Sequence, residues 1–246
     1  MIQSSKMPAG AGIYALAASG LVGASAAFVA YAVRSRSSCV FGPSVWKGPD
    51  SARTLALTFD DGPTPSTRTL LDILGRESVP ATFFVCGKNA ERYPEIVREA
   101  LAAGHEIGNH SYTHPMMFAK AKEFIRDEIQ RTQKVLEKET GRTPVLFRAP
   151  FGVRTWGMGG VQKELGLLGV MWTVIGTDWK SSAPEVHAQV LKGACNGAIV
   201  CLHDGRGLDP NPNIRNTLSA VRALIPRLRA EGYSFTTVSS LLCKSK

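Results

Sequence analysis

The sequence predicts an α/β fold on a mainly parallel sheet, and three observations carry that expectation. From Thr54 onward, short runs rich in Val, Ile, Phe and Leu alternate with longer amphipathic stretches. This β-α-β-α order favours parallel pairing with helices packed on the sheet. About seven strands fit between 54 and 237, fewer than the eight of a full barrel of about 250 residues. The composition is 44% hydrophobic and 20% charged over 246 residues, with Gly 24 and Pro 14. It excludes a disordered chain, a collagen-like repeat and a coiled coil.

The strands are expected at Thr54–Phe59, Ala81–Val85, Glu106–Gly108, Val145–Arg148, Val170–Val174, Ala198–Leu202 and Ser234–Thr237. Each is short and rich in β-branched and aromatic residues. Between them the spacing predicts helices over Ser66–Glu77, Asn89–Ala103, Lys122–Thr140, Gly159–Leu167, Pro184–Lys192 and Ile214–Glu231. Gly104, Gly141 and Gly232 supply helix stops.

Ahead of these elements lies an apolar segment. No charged residue occurs between Lys6 and Arg34, and Ala9–Val33 is rich in Ala, Gly and Val. About 20 apolar residues cross a bilayer as a helix. Residues 1–34 are therefore expected to form an apolar helix acting as a membrane anchor or signal segment. Ala30-Tyr31-Ala32 offers a small-residue cleavage site for the secreted alternative. Lys6 on one side and Arg34 and Arg36 on the other leave the orientation open. Residues 35–50 read as a linker and 51–243 as the catalytic domain.

The charge is +9, from 29 Lys+Arg against 20 Asp+Glu. That favours anionic partners. No basic-aromatic module accompanies it, so nucleic acid is not an expected partner. Nothing in the sequence speaks to oligomeric state. The five cysteines form no CxxC or Cys/His cluster, which excludes a cysteine-built zinc site. Cys86 and Cys201 lie in apolar runs and are expected as buried thiols.

In parallel α/β folds the chemistry sits beyond the C-terminal strand ends. Those ends carry Asp60-Asp61, Asn109-His110, Arg148, Asp178-Trp179 and His203-Asp204. Adjacent Asp60 and Asp61 point different ways and can take two roles. His110 and His114 stand at i and i+4, which on a helical turn puts both rings on one face. Two His and one carboxylate can hold a cation with positions left open. A cation so held lowers the pKa of water towards about 7. Hydrolysis further needs a base and an acid. The other carboxylate of the Asp pair can be the base, and Arg148 can pair with it. His203 can be the acid, with Asp178 on its other nitrogen.

Five ordered motifs then carry a family resemblance. Thr58-Phe59-Asp60-Asp61-Gly62-Pro63, His110-Ser111-Tyr112-Thr113-His114, Arg148-Ala149-Pro150-Phe151-Gly152, Asp178-Trp179 and Leu202-His203-Asp204 resemble those of the NodB-homology polysaccharide deacetylases, carbohydrate esterase family 4. The resemblance spans about Val40 to Leu242 and implies an incomplete (β/α)7 barrel. It implies Asp60 as general base, and Asp61, His110 and His114 as ligands of a divalent ion, zinc above others. It implies Arg148 as the residue orienting the base, and Asp178 as partner of His203, the general acid. Pro150, Phe151, Trp179 and Leu202 are placed in the substrate groove. Two positions depart from the family pattern: Ile175 stands where the fourth motif begins with Asp, and Cys201 where the fifth begins with Leu. Both bear on substrate choice.

The implied activity is metal-dependent removal of N-acetyl groups from an amino-sugar glycan, peptidoglycan or chitin-like. The implied place is the cell membrane, anchored by the N-terminal helix, with the catalytic domain outside the cytoplasm. A deacylase of a lipid-linked amino sugar and a non-catalytic carbohydrate-binding protein on the same scaffold are the alternatives.

Overall fold

β2 (Thr54–Asp60) is buried along its whole length because the sheet it centres is covered on both faces. In the computed structural model, which describes residues 25–243, β2 pairs with β3 (Thr82–Val85) and β8 (Ile199–His203). β4 (Glu106–Asn109), β5 (Leu146–Phe147), β6 (Leu168–Val170) and β1 (Ser44–Val45) extend the sheet one way, and β7 (Val174–Ile175) ends it the other. The order is β1-β6-β5-β4-β3-β2-β8-β7, with β9 (Ser234–Phe235) pairing the start of β2. Every one of these pairings is parallel. The sheet curls. β6 and β7 are neighbours in sequence but lie near opposite ends of the order, and Lys47 bridges to Ala198 at the foot of β8. The result is an open, curled parallel half-barrel, in agreement with the incomplete (β/α)7 expectation.

Around it run α2 (Thr67–Arg76), α3 (Gly87–Arg92), α4 (Pro94–Ala102), α5 (Lys122–Thr140), α6 (Met158–Glu164), α7 (Ala183–Gly193) and α8 (Arg215–Ala230). Strand alternation sorts the core into two layers. Leu55, Leu57 and Phe59 of β2 and Val200 and Leu202 of β8 share one cluster with Leu70, Leu74, Leu224 and Leu228 of the helices. Ala56 and Ile199 belong to a separate cluster with Phe84, Leu146 and Val170. Val238 and Leu241 of a last helix, α9 (Val238–Cys243), complete that inner cluster.

The structure departs from the expected elements at four places. The helix expected over 89–103 is two, broken at Tyr93 (φ −134°, ψ 57°), because Pro94 bars the residue before it from helical geometry. The strand expected over 170–174 is also two, β6 and β7, which serve different flanks of the curled sheet. β1 and α9 had no counterpart among the expected elements. Both are short, and their place comes from contacts with distant residues.

Residues 1–24, which hold most of the expected apolar helix, lie outside the described residues. The part described is α1 (25–34). No helix of the described residues is long and apolar enough to cross a membrane. Within 35–50, read from sequence as a linker, Ser44 and Val45 pair with Gly169 and Val170.

Leu241 is 2% exposed inside the barrel cluster. Leu241→Ala should lower unfolding free energy by about 2–5 kcal/mol in a denaturant titration, with divalent-cation affinity unchanged.

Candidate active site

The parallel register aligns the chemistry-bearing strand ends. Asp60 lies opposite His203 on β8 and opposite Phe84 on β3, and Asn109 opposite Phe147. The ends of these strands and the loops that follow surround a cavity of about 480 Å³. Asp60, Asp61, His110, His114 and His203 all line it, together with Phe151 and Trp179.

Asp60 is 3% exposed. Its Oδ1 accepts from Arg148 Nη1 at 2.6 Å, and its Oδ2 from the Cys201 thiol at 3.5 Å. Arg148 is fully buried. It also donates to Thr58 Oγ1 at 2.7 Å and to the carbonyls of Val170 and Met171 at 3.1 and 3.2 Å. Its guanidinium carbon lies 4.0 Å from the centroid of the Phe84 ring. The side chain thus fills the inside of the curl where β6 gives way to β7.

Asp61 departs the strand in a left-handed conformation (φ 77°), which turns its carboxylate away from that of Asp60. Its carbonyl accepts from Asn89 Nδ2 at 2.8 Å, and its Oδ2 from the Gly207 N–H at 2.9 Å. Asp61 Oδ1 faces His114 Nε2 at 3.0 Å and His110 Nε2 at 3.3 Å. His110 Nδ1 is 2.8 Å from the Arg148 carbonyl, which can only accept. A neutral His110 therefore carries its proton on Nδ1 and turns a lone pair at Nε2 toward Asp61. Oδ1 itself is buried without a hydrogen-bond partner among the described residues. Three electron-pair donors converging on one point with no proton between two of them is the arrangement a divalent cation satisfies. The residues fit such an ion.

Asp60, Cys201 and His203 form a second group of potential ligands. It is the poorer set. Burial drives the Cys201 thiol well above its ordinary value, so it remains protonated, and Asp60 is already paired with Arg148.

The two histidines do not share a helix. Residues 110–114 are a loop, with Ser111 (φ 64°) and His114 (φ 56°) left-handed. Buried Glu128 of α5 holds it, accepting from the Tyr112 and Thr113 N–H groups at 3.0 and 2.8 Å. Asn109 Oδ1 accepts from the Ser111 N–H at 2.9 Å. Left-handed backbone at non-glycine residues costs about 1–3 kcal/mol each and collects at functional sites. Phe151 (φ 59°), which lines the cavity, adds to the group.

His203 Nδ1 is 2.8 Å from Asp178 Oδ1, and the His203 N–H donates to Oδ2 at 3.0 Å. Thr217 of α8 also donates to Oδ2. Burial pushes the His203 imidazole down, but Asp178 more than compensates and holds it above its ordinary 6.5. Trp179 stands edge-on to His203 with centroids 5.0 Å apart, and Phe151 edge-on to His114 at 4.6 Å. Both aromatics are about half exposed at the mouth.

Leu202, assigned from sequence to the groove, is elsewhere: it is fully buried in the helix-facing cluster. Strand alternation puts Cys201 and His203 on the cavity side and Leu202 on the other, and Cys201 lines the cavity. Pro150 is buried and does not line the cavity. Sequence reasoning missed Trp172, Arg34 and Arg206, all of which line it. Asp204, named from sequence at a strand end and in the fifth motif but given no role there, accepts from the Gly62 N–H at 3.1 Å through Oδ1 and from Thr67 at 2.6 Å through Oδ2. The signal for Asp204 was its place beside His203; Trp172 and Arg34 carried none.

A sequence model described as polysaccharide deacetylase matches residues 47–170. The peptidoglycan-N-acetylglucosamine deacetylase PgdA of Listeria monocytogenes is 36% identical over 201 residues, covering 81% of this chain and 41% of that protein. The chain thus spans about two fifths of that relative's length. The chitooligosaccharide deacetylase of Azorhizobium caulinodans is 38% identical over 192 residues, covering 74% of this chain and 90% of that protein. Among solved structures, the Bc1960 peptidoglycan N-acetylglucosamine deacetylase superposes with a TM-score of 0.76 at 33% identity, covering 82% of this chain and 94% of that one.

Arg148→Met should cost about 3–5 kcal/mol of stability, because it leaves the Asp60 carboxylate buried and unpaired. Adding Asp60→Asn to that variant should recover part of the loss. Guanidinium unfolding of the two variants measures both values.

Proposed function

The chain belongs to the polysaccharide deacetylase family, and from that premise we propose that it is a metal-dependent hydrolase removing N-acetyl groups from an amino-sugar glycan, peptidoglycan or chitin-like. The observation that carries the reading is one cavity holding three units together. They are the Asp61–His110–His114 cluster, the Asp60–Arg148 pair and the His203–Asp178 pair. Among the described residues every group such a hydrolysis needs is present, which disfavours a non-catalytic carbohydrate-binding role.

Asp61, His110 and His114 would hold the divalent ion, and zinc is our choice from the two-imidazole, one-carboxylate donor set. Bound there, the ion supplies Lewis acidity to the acyl oxygen and to the attacking water. The chain's own groups do the rest. Asp60 accepts the water's proton as the amide carbon is attacked, and Arg148 fixes the carboxylate's orientation through its Oδ1. His203 donates a proton to the departing amine. Asp178 keeps the imidazole oriented through Nδ1 and favours its protonated form, leaving Nε2–H to face the cavity. Phe151 and Trp179 present apolar surface to sugar faces at the mouth. The Phe151 N–H is our assignment for a donor to the developing oxyanion. The products are acetate and a sugar amine.

The same reading places the chain at the cell envelope, tethered by the N-terminal segment with the barrel outside the cytoplasm. What supports the tether is the uncharged stretch between Lys6 and Arg34; what supports the side is the extracytoplasmic substrate.

Acetate release from chitooligosaccharide and from N-acetylated peptidoglycan tests the proposal. Release should require a divalent ion. Asp60→Asn should reduce it by about 10²–10⁴-fold while leaving zinc affinity intact, since Asp60 is outside the cation cluster. Absence of release from every N-acetylated glycan, with the ion bound, would overturn the reading.

The pH dependence follows from His203. The reaction uses its protonated form, so kcat should fall as pH rises through its elevated pKa. Asp178→Asn removes the charge that raises that pKa and should move the alkaline limb of the profile to lower pH.

A further inference from the structure

Two charged groups at the cavity, Arg34 and Arg206, have no role in the chemistry above. Arg34, the last residue of α1, lines the same cavity as Asp60 and His114. Among the described residues it makes no ion pair, and it is exposed. It does not sit on a loose tail. Arg154, from the loop that follows Phe151, clamps the chain on both sides of it. The Arg154 N–H donates to the Val33 carbonyl at 3.2 Å, and its guanidinium donates to the carbonyls of Ser35 and Ser38. Ser38 Oγ closes the turn onto the Ala32 carbonyl at 3.2 Å. Ala32 and Val33 are buried, as is Arg154 at 6% exposure.

Burying a guanidinium against carbonyls alone, with no carboxylate partner among the described residues, is costly. Its effect is to pin the segment that presents Arg34. The charge balance around Arg34 points the same way. Asp60 is paired with Arg148 and Asp178 with His203, and Asp61 is turned toward the two imidazoles of the cation cluster. The carboxylates of the cavity are all engaged inward. Arg206 is engaged, donating to the carbonyls of Gly205 and Asp178 at 2.6 and 3.2 Å and lying 3.9 Å from the Asp178 carboxylate, and Ile175 lines the wall with an uncharged side chain. With a divalent cation in place the mouth therefore carries surplus positive charge. An unpaired guanidinium there is a fork suited to carboxylate or phosphate oxygens.

We propose that Arg34 is a specificity residue that binds an anionic substituent, a carboxylate or a phosphate, carried by the substrate close to the acylated amino sugar. The inference rests on the amino-sugar deacylase reading for the position of the substrate. It narrows that reading, peptidoglycan or chitin-like, to glycans with an acidic group near the acylated sugar, such as those whose neighbouring sugar bears a lactyl carboxylate or whose reducing end bears a phosphate.

The test is binding rather than turnover, so it stands apart from the activity assay. Full-length Asp60→Asn protein loaded with zinc is titrated with three ligands, followed by tryptophan fluorescence. They are a neutral N-acetylglucosamine oligomer, a peptide-free oligomer containing muramic acid, and N-acetylglucosamine 1-phosphate. At least one anionic ligand should bind about tenfold tighter than its neutral counterpart, and that preference should shrink in high salt. Adding Arg34→Gln should abolish the preference without weakening the neutral oligomer, and Arg34→Lys should restore part of it. Preference for the muramic acid oligomer alone assigns the subsite to a carboxylate, and for the phosphate alone to a phosphate. Equal affinity for neutral and anionic ligands, or a preference that survives Arg34→Gln, overturns the proposal. Acetate release by the wild-type chain from the neutral oligomer reports separately on the deacetylase reading.

Discussion

The guanidinium of Arg148 is the point on which the site and the barrel both depend. Inside a curled sheet that does not close, backbone carbonyls at the break between β6 and β7 turn inward, away from water. Arg148 donates to two of them, at Val170 and Met171. The same side chain pairs with Asp60 and donates to Thr58, both on the central strand. Its own carbonyl receives His110 Nδ1. One residue thus satisfies the break, orients the proposed base and selects the tautomer of a proposed metal ligand. A charge this buried is tolerable only because its donors are engaged and its counter-charge lies at 2.6 Å. Loss of Arg148 is therefore a stability lesion, and under the proposed reaction it would also leave the Asp60 carboxylate unoriented.

Strand alternation does the sorting between packing and chemistry. Along β2, Leu55, Leu57 and Phe59 join the helix-facing cluster. Ala56, Thr58 and Asp60 take the other face, passing from the α9-filled foot through the Arg148 contact to the rim. β8 repeats the pattern, with Ile199, Cys201 and His203 inside and Val200 and Leu202 outside. Because the sheet is parallel and in register at Asp60 and His203, the proposed base and acid are delivered to the same height without help from any loop. The cation cluster is built differently. It takes left-handed backbone at Asp61, whose carbonyl Asn89 holds, and at His114, whose loop Glu128 and Asn109 hold. The strained positions stand on a rigid base, and that base offsets their cost.

The segment between α1 and β2 belongs to the barrel's working rim. Ser44 and Val45 add a strand, Lys47 ties the flanks together, and the turn clamped by Arg154 brings Arg34 to the cavity. The matched family region begins at residue 47, so the turn and Arg34 lie before it.

The amino-acid sequence by itself determined the fold class and the set of candidate chemical residues. Both are local patterns: alternating apolar runs with glycine stops, and five short motifs holding Asp60, Asp61, His110, His114, Arg148, Asp178 and His203. Tertiary structure decided which way each side chain faces and what stands beside it. It put Cys201 rather than Leu202 on the cavity side, because strand phase is set by pairing with β2. It made 110–114 a loop rather than a helical turn, because Glu128 and Asn109 compete successfully for the backbone N–H groups. It split the stretch 170–174 between two flanks and made the supposed linker part of the sheet, because a curled barrel needs both. Trp172, Arg206 and Arg34 reached the cavity only through partners remote in the chain, and contacts made at such distances leave no periodicity or spacing to read.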